Sequence, residues 1–154
     1  MSKKTKHTHR RRQPGQQPQP QWQGIETLWT LALHIDGMLE ADIEQYETLL
    51  EARPKPHVLD DFTVNRVKQA FTAQRDDFWL FEEQLRRWQA GHLTDEQRAE
   101  VARLVEQMRR LRENNTRVLE LADELSKGTI EKIMAKSDEE LGLEFLMGMF
   151  KEKS

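Results

Sequence analysis

The chain has 154 residues and a net charge of −3, and 36% of its residues are hydrophobic while 33% are charged. This length predicts one domain, and the large charged fraction favours elongated helices over a thick globule. Because the chain contains no cysteine, disulfides, thiolate metal sites and cysteine nucleophiles are excluded, as is usual in a reducing compartment.

The N-terminal segment differs in charge from the rest of the chain. Residues 1 to 24 contain six basic residues and no acidic one, which leaves the other 130 residues at −9. The basic residues are Lys3, Lys4, Lys6, Arg10, Arg11 and Arg12. Residues 3 to 23 are rich in Gln and Pro, and Trp22 is their only large apolar residue, so this stretch cannot bury enough surface to fold. We predict a disordered basic tail over residues 1–23, which does not resemble a secretory signal.

Apolar residues at helical spacing predict a first long helix from Ile25. It should end near Ala52, because Pro54 disfavours helical geometry in the residue before it. Between these ends the chain has seven acidic residues and no Lys or Arg. The longest nearly apolar run, Leu28 to Ile35, is far shorter than the ~20 residues of a membrane-spanning helix. We therefore expect a cytoplasmic protein that does not bind membranes.

Two further helices show apolar residues spaced alternately three and four apart, the pattern of a coiled-coil seam. In the second helix these positions are Val64, Val67, Phe71, Gln74, Phe78, Phe81, Leu85 and Trp88. In the third they are Val101, Leu104, Met108, Leu111, Asn115, Val118, Ala122 and Leu125. Each seam is interrupted by one amide, which predicts either a wet position or a buried group that sets register. We favour the wet position.

The sequence also predicts where these helices begin and end. Asp60 is a good N-cap for the second helix, and Gly91 should end it in a left-handed conformation. Thr94 and Gln97 form a capping box that starts the third helix. The tight turn between them predicts an antiparallel hairpin.

The last segment, residues 128–154, is predicted to be helical in two short pieces. Thr129 should cap the first piece, and Ser137 with Glu140 should form a capping box before an apolar helix from Leu141 to Phe150. Such a helix is too short and too apolar to be stable alone in water. We expect it to fold back on the bundle or to insert into a groove of another protein.

Together these elements predict an all-α fold: an antiparallel helical bundle or coiled-coil hairpin of three long helices, residues 24–127, followed by a short C-terminal helix. The acidic first helix should lie beside the third, where arginines are concentrated. They are Arg103, Arg109, Arg110, Arg112 and Arg117. An alternative is an open hairpin of the second and third helices that dimerises.

The sequence contains no pattern that indicates catalysis. No Glu lies three residues before a His, as di-iron bundles require, and there is no phosphate-binding glycine loop. We therefore expect a non-enzyme with no catalytic residue, no metal site and no cofactor.

Two functions remain as hypotheses. The first is a non-catalytic protein–protein interaction, an adaptor or accessory role, with another protein or a second copy of the chain as partner. Its predicted contact residues are Trp79, Leu80, Leu141, Phe145, Leu146, Met149 and Phe150. The alternative is a nucleic-acid-associated protein whose basic tail binds the phosphate backbone.

Overall fold

The computed structural model describes residues 19 to 151, without the side chains of residues 137, 138, 141, 144, 145 and 148 to 151. It confirms the all-α bundle. A 3-10 turn, Ile25–Thr27, leads into α1, Leu28–Ala52, and a second such turn, Pro56–Val58, precedes α2, Asp61–Gln89. The remaining helices are α3, Asp95–Ser126, and α4, Ile130–Lys151.

The predicted helix caps are present, with one correction. The Asp60 side chain accepts a hydrogen bond from the Thr63 amide at 2.7 Å. The Thr94–Gln97 capping box forms both of its bonds, at 3.1 and 3.0 Å. Gly91, however, does not adopt the predicted left-handed conformation. The second helix ends in right-handed geometry, where the Gly91 amide donates to the Trp88 carbonyl at 3.0 Å.

α3 lies at the centre of the bundle, and α2 packs along one side of it. In successive polar contacts the residue number rises in α2 and falls in α3, so the two helices run in opposite directions. The pairs are Lys68 with Asp123, Gln74 with Asn115 and Glu82 with Arg112.

α1 packs along another side of α3 and runs in the same direction, because Asp36 pairs with Arg103 near one end and Arg53 with Glu124 near the other. α1 and α2 approach each other less closely than each approaches α3, which leaves a groove between them. The prediction that the α3 arginines pair with the acidic α1 is correct for Arg103, which contacts Asp36. Arg112 pairs with α2, and other α3 arginines pair with glutamates of their own helix.

The bundle interior consists of two apolar clusters. The upper cluster joins the start of α1, the end of α2 and the first half of α3; its fully buried members include Ile35, Phe78, Leu104 and Leu111. The lower cluster joins the opposite ends of the same helices around Leu49, Val118 and Leu125.

In each long helix, polar residues separate the members of the upper cluster from those of the lower cluster. They are Asp42 in α1, Gln74 in α2, and Asn114 and Asn115 in α3, and we call them the polar layer. The Asn115 amide donates to the Phe71 carbonyl at 2.9 Å and to the Gln74 side chain at 3.2 Å. Gln74 in turn donates to the Asp42 carboxylate at 3.3 Å. Asn115 is fully buried, so our expectation of a wet position was wrong for this residue. A buried amide bonded across helices instead favours one register.

α4 is a single continuous helix, so the break predicted at Ser137 does not occur. Its base is held at the end of the bundle where α1 ends and α2 begins. The Ile130 amide donates to the Leu59 carbonyl at 2.9 Å. The buried hydroxyl of Thr129 donates to Asp61 at 2.6 Å, and the Lys132 ammonium contacts the same carboxylate at 3.1 Å. Within residues 19–151, no helix is long and apolar enough to cross a bilayer.

Candidate interaction surfaces

A cleft of about 600 Å³ lies between residues 20–23, the start of α1 and the end of α2. We call it the uncharged cleft, because its lining contains no carboxylate, ammonium or guanidinium group. It is formed by Pro20, Gln21, Trp22, Gln23, Thr27, Thr30, Leu31, His34, Leu80, Phe81, Gln84 and Trp88. This composition is unusual in a chain of which a third of the residues are charged.

One wall of the cleft is held in place by backbone bonds to Gln23. The buried side chain of Gln84 accepts from the Gln23 amide at 2.7 Å and donates to the Gln23 carbonyl at 3.2 Å. The indole N–H of Trp88 donates to the same carbonyl at 3.0 Å. This role of Gln84 is not evident from the sequence, because a polar residue on a helix gives no sign of which backbone segment it binds.

The first two predicted contact residues, Trp79 and Leu80, lie beside the cleft. Trp79 is 45% exposed and meets the ring of Trp22 edge to face, with ring centroids 6.3 Å apart. The guanidinium of Arg87 lies 4.4 Å from the centre of the Trp22 ring, a cation–π contact. Leu80 is half-buried and lines the cleft. The structure thus brings both residues to one surface that α1 does not cover.

A second surface is convex and belongs to α4. Six large apolar side chains of this helix are between 38% and 62% exposed. They are Ile130, Ile133, Met134, Leu143, Leu146 and Met147. We call the first three the proximal triplet and the last three the distal triplet. The predicted contact residue Leu146 belongs to the distal triplet, whereas the side chains of Leu141, Phe145, Met149 and Phe150 lie outside the described part.

The two triplets share one spacing but face different sides of α4. Each places residues at i, i+3 and i+4, which form one patch on a helix. They are 13 residues apart, and at ~100° per residue the patches are separated by roughly 140° around the helix axis. A single flat neighbour therefore cannot cover both.

The cleft and the α4 base lie at opposite ends of the bundle. The cleft is built from the first turns of α1 and the last turns of α2, whereas α4 begins next to Leu59 and Asp61. From His34 to Ala52, α1 spans 18 residues, or about 27 Å at ~1.5 Å per residue.

The other predicted groups give no further site in the described part of the chain. Residues 19–151 contain no group of three or more His, Asp or Glu side chains that could hold a metal ion. The predicted nucleic-acid residues Lys3 to Arg12 lie outside the described residues. The predicted role of the tail therefore stays a prediction.

Comparison with known proteins finds no match from which a role for these surfaces could be inferred. No protein-family model, no curated protein sequence and no solved structure matches the chain.

Proposed function

We propose that this protein is a non-catalytic interaction protein that binds another protein chain through α4. The supporting observation is the exposure of six large apolar side chains on a helix that contacts the bundle at its base. Complete burial of such side chains contributes about 1.5 to 3 kcal/mol each. A partner that covers either triplet would therefore gain a large part of its binding free energy there.

The geometry of α4 suits a helix that inserts into a groove. Such helices bind through apolar anchors at i, i+3, i+4 and i+7, and each triplet supplies the first three of these positions. Bonds from Thr129 and Lys132 to Asp61 hold the base of the helix on the bundle. The distal triplet begins 13 residues beyond Ile130, about 20 Å from this base at ~1.5 Å per residue.

The test is a comparison of two leucine substitutions in the full-length protein. Leu146→Glu places a charge in the distal triplet, whereas Leu33→Glu changes a leucine of α1 that is 77% exposed and belongs to neither surface. Both variants should keep the helical circular dichroism of the parent, because neither side chain is buried. Complexes are then purified at high salt from cells that naturally express the protein, and bound chains are identified by mass spectrometry.

We expect a stoichiometric protein partner with the parent and with Leu33→Glu, and at least tenfold less of it with Leu146→Glu. Equal recovery with all three proteins would contradict the proposal. Recovery of nucleic acid that falls with salt and requires residues 1–24 would instead favour the predicted role of the basic tail.

A further inference from the structure

We infer that the partner of α4 is a second copy of this chain. The distal half of α4 from one copy fills the uncharged cleft of the other, and the reverse contact completes a two-fold symmetric dimer. This inference rests on the proposed function, because it names the chain to which α4 binds. It joins the uncharged cleft to the exposed distal triplet of α4.

The uncharged cleft and the distal half of α4 are both poor in charged residues. The twelve residues that line the cleft carry no carboxylate, ammonium or guanidinium group. The stretch Leu141 to Phe150 has one charged residue, Glu144, among ten. Elsewhere the chain is rich in charge, and depletion of charged residues is the compositional mark of an interface core. Both surfaces therefore have the low charge that is expected of two surfaces packed together in an interface core.

The base of α4 also opposes insertion of the helix into its own cleft. Because the described part of α4 contacts the Pro56–Val58 turn and not the length of the long helices, the helix would have to change direction near Gly128 to lie along its own bundle. At this point the chain is tightly packed, since a Cβ on Gly128 would lie 2.8 Å from the Pro56 Cβ. The Thr129–Asp61 and Ile130–Leu59 hydrogen bonds would also be lost. A second molecule can receive the distal triplet with all of these contacts intact.

The resulting interface involves enough residues to be stable. Each copy contributes the distal half of α4, residues 141–151, and one cleft lined by 12 residues. A stable interface of standard size uses about 20 to 30 residues and ~800 Å² from each partner. Two equivalent helix-in-cleft contacts reach this number of residues, and the pairing of one helix and one cleft per copy satisfies the self-complementarity that a two-fold axis demands.

The absence of cysteine from the chain allows a direct test by disulfide mapping. One full-length variant carries Thr30→Cys in the cleft, and a second, with a different affinity tag, carries Met147→Cys in the distal triplet. Both positions are exposed, so folding should be unaffected. The control partner carries Lys136→Cys, an exposed position on the same helix near its base.

Mild oxidation of the mixed variants should give a disulfide-linked species of about twice 18.3 kDa that carries both tags. We expect at least tenfold more of it from Thr30→Cys with Met147→Cys than from Thr30→Cys with Lys136→Cys. Equal yields from the two mixtures would overturn the inference. A chain with both Thr30→Cys and Met147→Cys that forms only an internal disulfide in a monomer would also overturn it.

Sedimentation of uncrosslinked protein separates this inference from the proposed function. The parent and Leu33→Glu should form dimers as concentration rises, while Leu146→Glu stays monomeric. If all three remain monomeric but a different protein is recovered in a Leu146-dependent manner, the second copy is excluded and the interaction role of α4 stands. If Leu146→Glu changes neither dimerisation nor partner recovery, both proposals fail.

Discussion

α3 and α4 differ in a way that their composition does not predict. Half of the 22 residues of α4 are hydrophobic, compared with 12 of the 32 residues of α3. Yet α3 has ten buried residues and contacts both other long helices, while the described apolar side chains of α4 are exposed. The difference lies in arrangement, because the apolar residues of α3 follow one face for its whole length.

A continuous apolar face lets a helix bury its side chains against neighbours over many turns. In α4 the apolar residues change sides after its middle, so one neighbour cannot cover them all. In this chain the alignment of apolar residues, rather than their number, decides which helix forms the core. The unaligned apolar residues of α4 remain exposed.

The strongest destabilisation is expected from a core position in the first half of α3. Leu104→Ala removes a fully buried side chain and should lower the free energy of unfolding by about 3 to 5 kcal/mol, through lost burial and a residual cavity. Urea denaturation at pH 7 measures this change. Val105→Ala, at a neighbouring position that is 43% exposed, is the control and should change stability by less than about 1 kcal/mol. Equal effects would contradict the assigned core.

The polar layer predicts an unusual dependence of stability on pH. Burial raises the pKa of Asp42 from 3.8 to about 6, against the opposing effect of its hydrogen bond from Gln74. Above pH 6 the carboxylate is charged in both folded and unfolded chains, so the folded state carries the full cost of the buried charge. As pH falls from about 6 to 4, the folded carboxylate takes up its proton first and this cost disappears.

Asp42→Asn removes this charge and should stabilise the protein at pH 7 by on the order of 2 to 3 kcal/mol. The gain should vanish near pH 4, as followed by thermal unfolding across this range. Asp36→Asn is a matched control of opposite sign, because the Arg103 guanidinium holds the pKa of Asp36 below its usual range. A lower stability of Asp42→Asn than of the parent at pH 7 would show that the buried carboxylate does not destabilise the folded state.

A smaller effect is expected at the turn between α2 and α3. Thr94→Ala removes the acceptor for the Gln97 amide and should destabilise the protein by about 1 kcal/mol. Thr116→Ala changes an exposed threonine inside α3 whose hydroxyl bonds to the Arg112 carbonyl. This control should be neutral or slightly stabilising, since alanine has the higher helix propensity. Equal melting temperatures for both variants would exclude a stabilising capping box.

The smallest effect should come from α4. Leu146→Ala shortens a side chain that is 56% exposed and should change monomer stability by less than about 0.5 kcal/mol. The measurement is thermal unfolding of dilute protein, where self-association is weakest. A loss as large as that of Leu104→Ala would show that α4 packs on its own bundle.

The sequence predicted the long helices because seam residues such as Phe78 and Leu111 repeat at a regular spacing and the caps at Asp60 and Thr94 are local. It did not predict the uncharged cleft, which depends on a bond between Gln23 and Gln84, residues 61 positions apart. Asn115 was misjudged for the same reason, because its partners lie on another helix. The prediction of a break at Ser137 was wrong, because a capping pattern can also occur inside a continuous helix.

Hydrogen exchange of the full-length protein tests directly whether α4 is free of its own bundle and able to bind another chain. In dilute protein, we expect the amides of α4 beyond Met134 to exchange at least a hundredfold faster than those of α3 around Leu111. At high concentration, protection should rise in α4 and in cleft residues 30–34 and 80–84 together. Equal protection of α4 and α3 at every concentration would contradict this expectation, because α4 would then be packed on its own bundle.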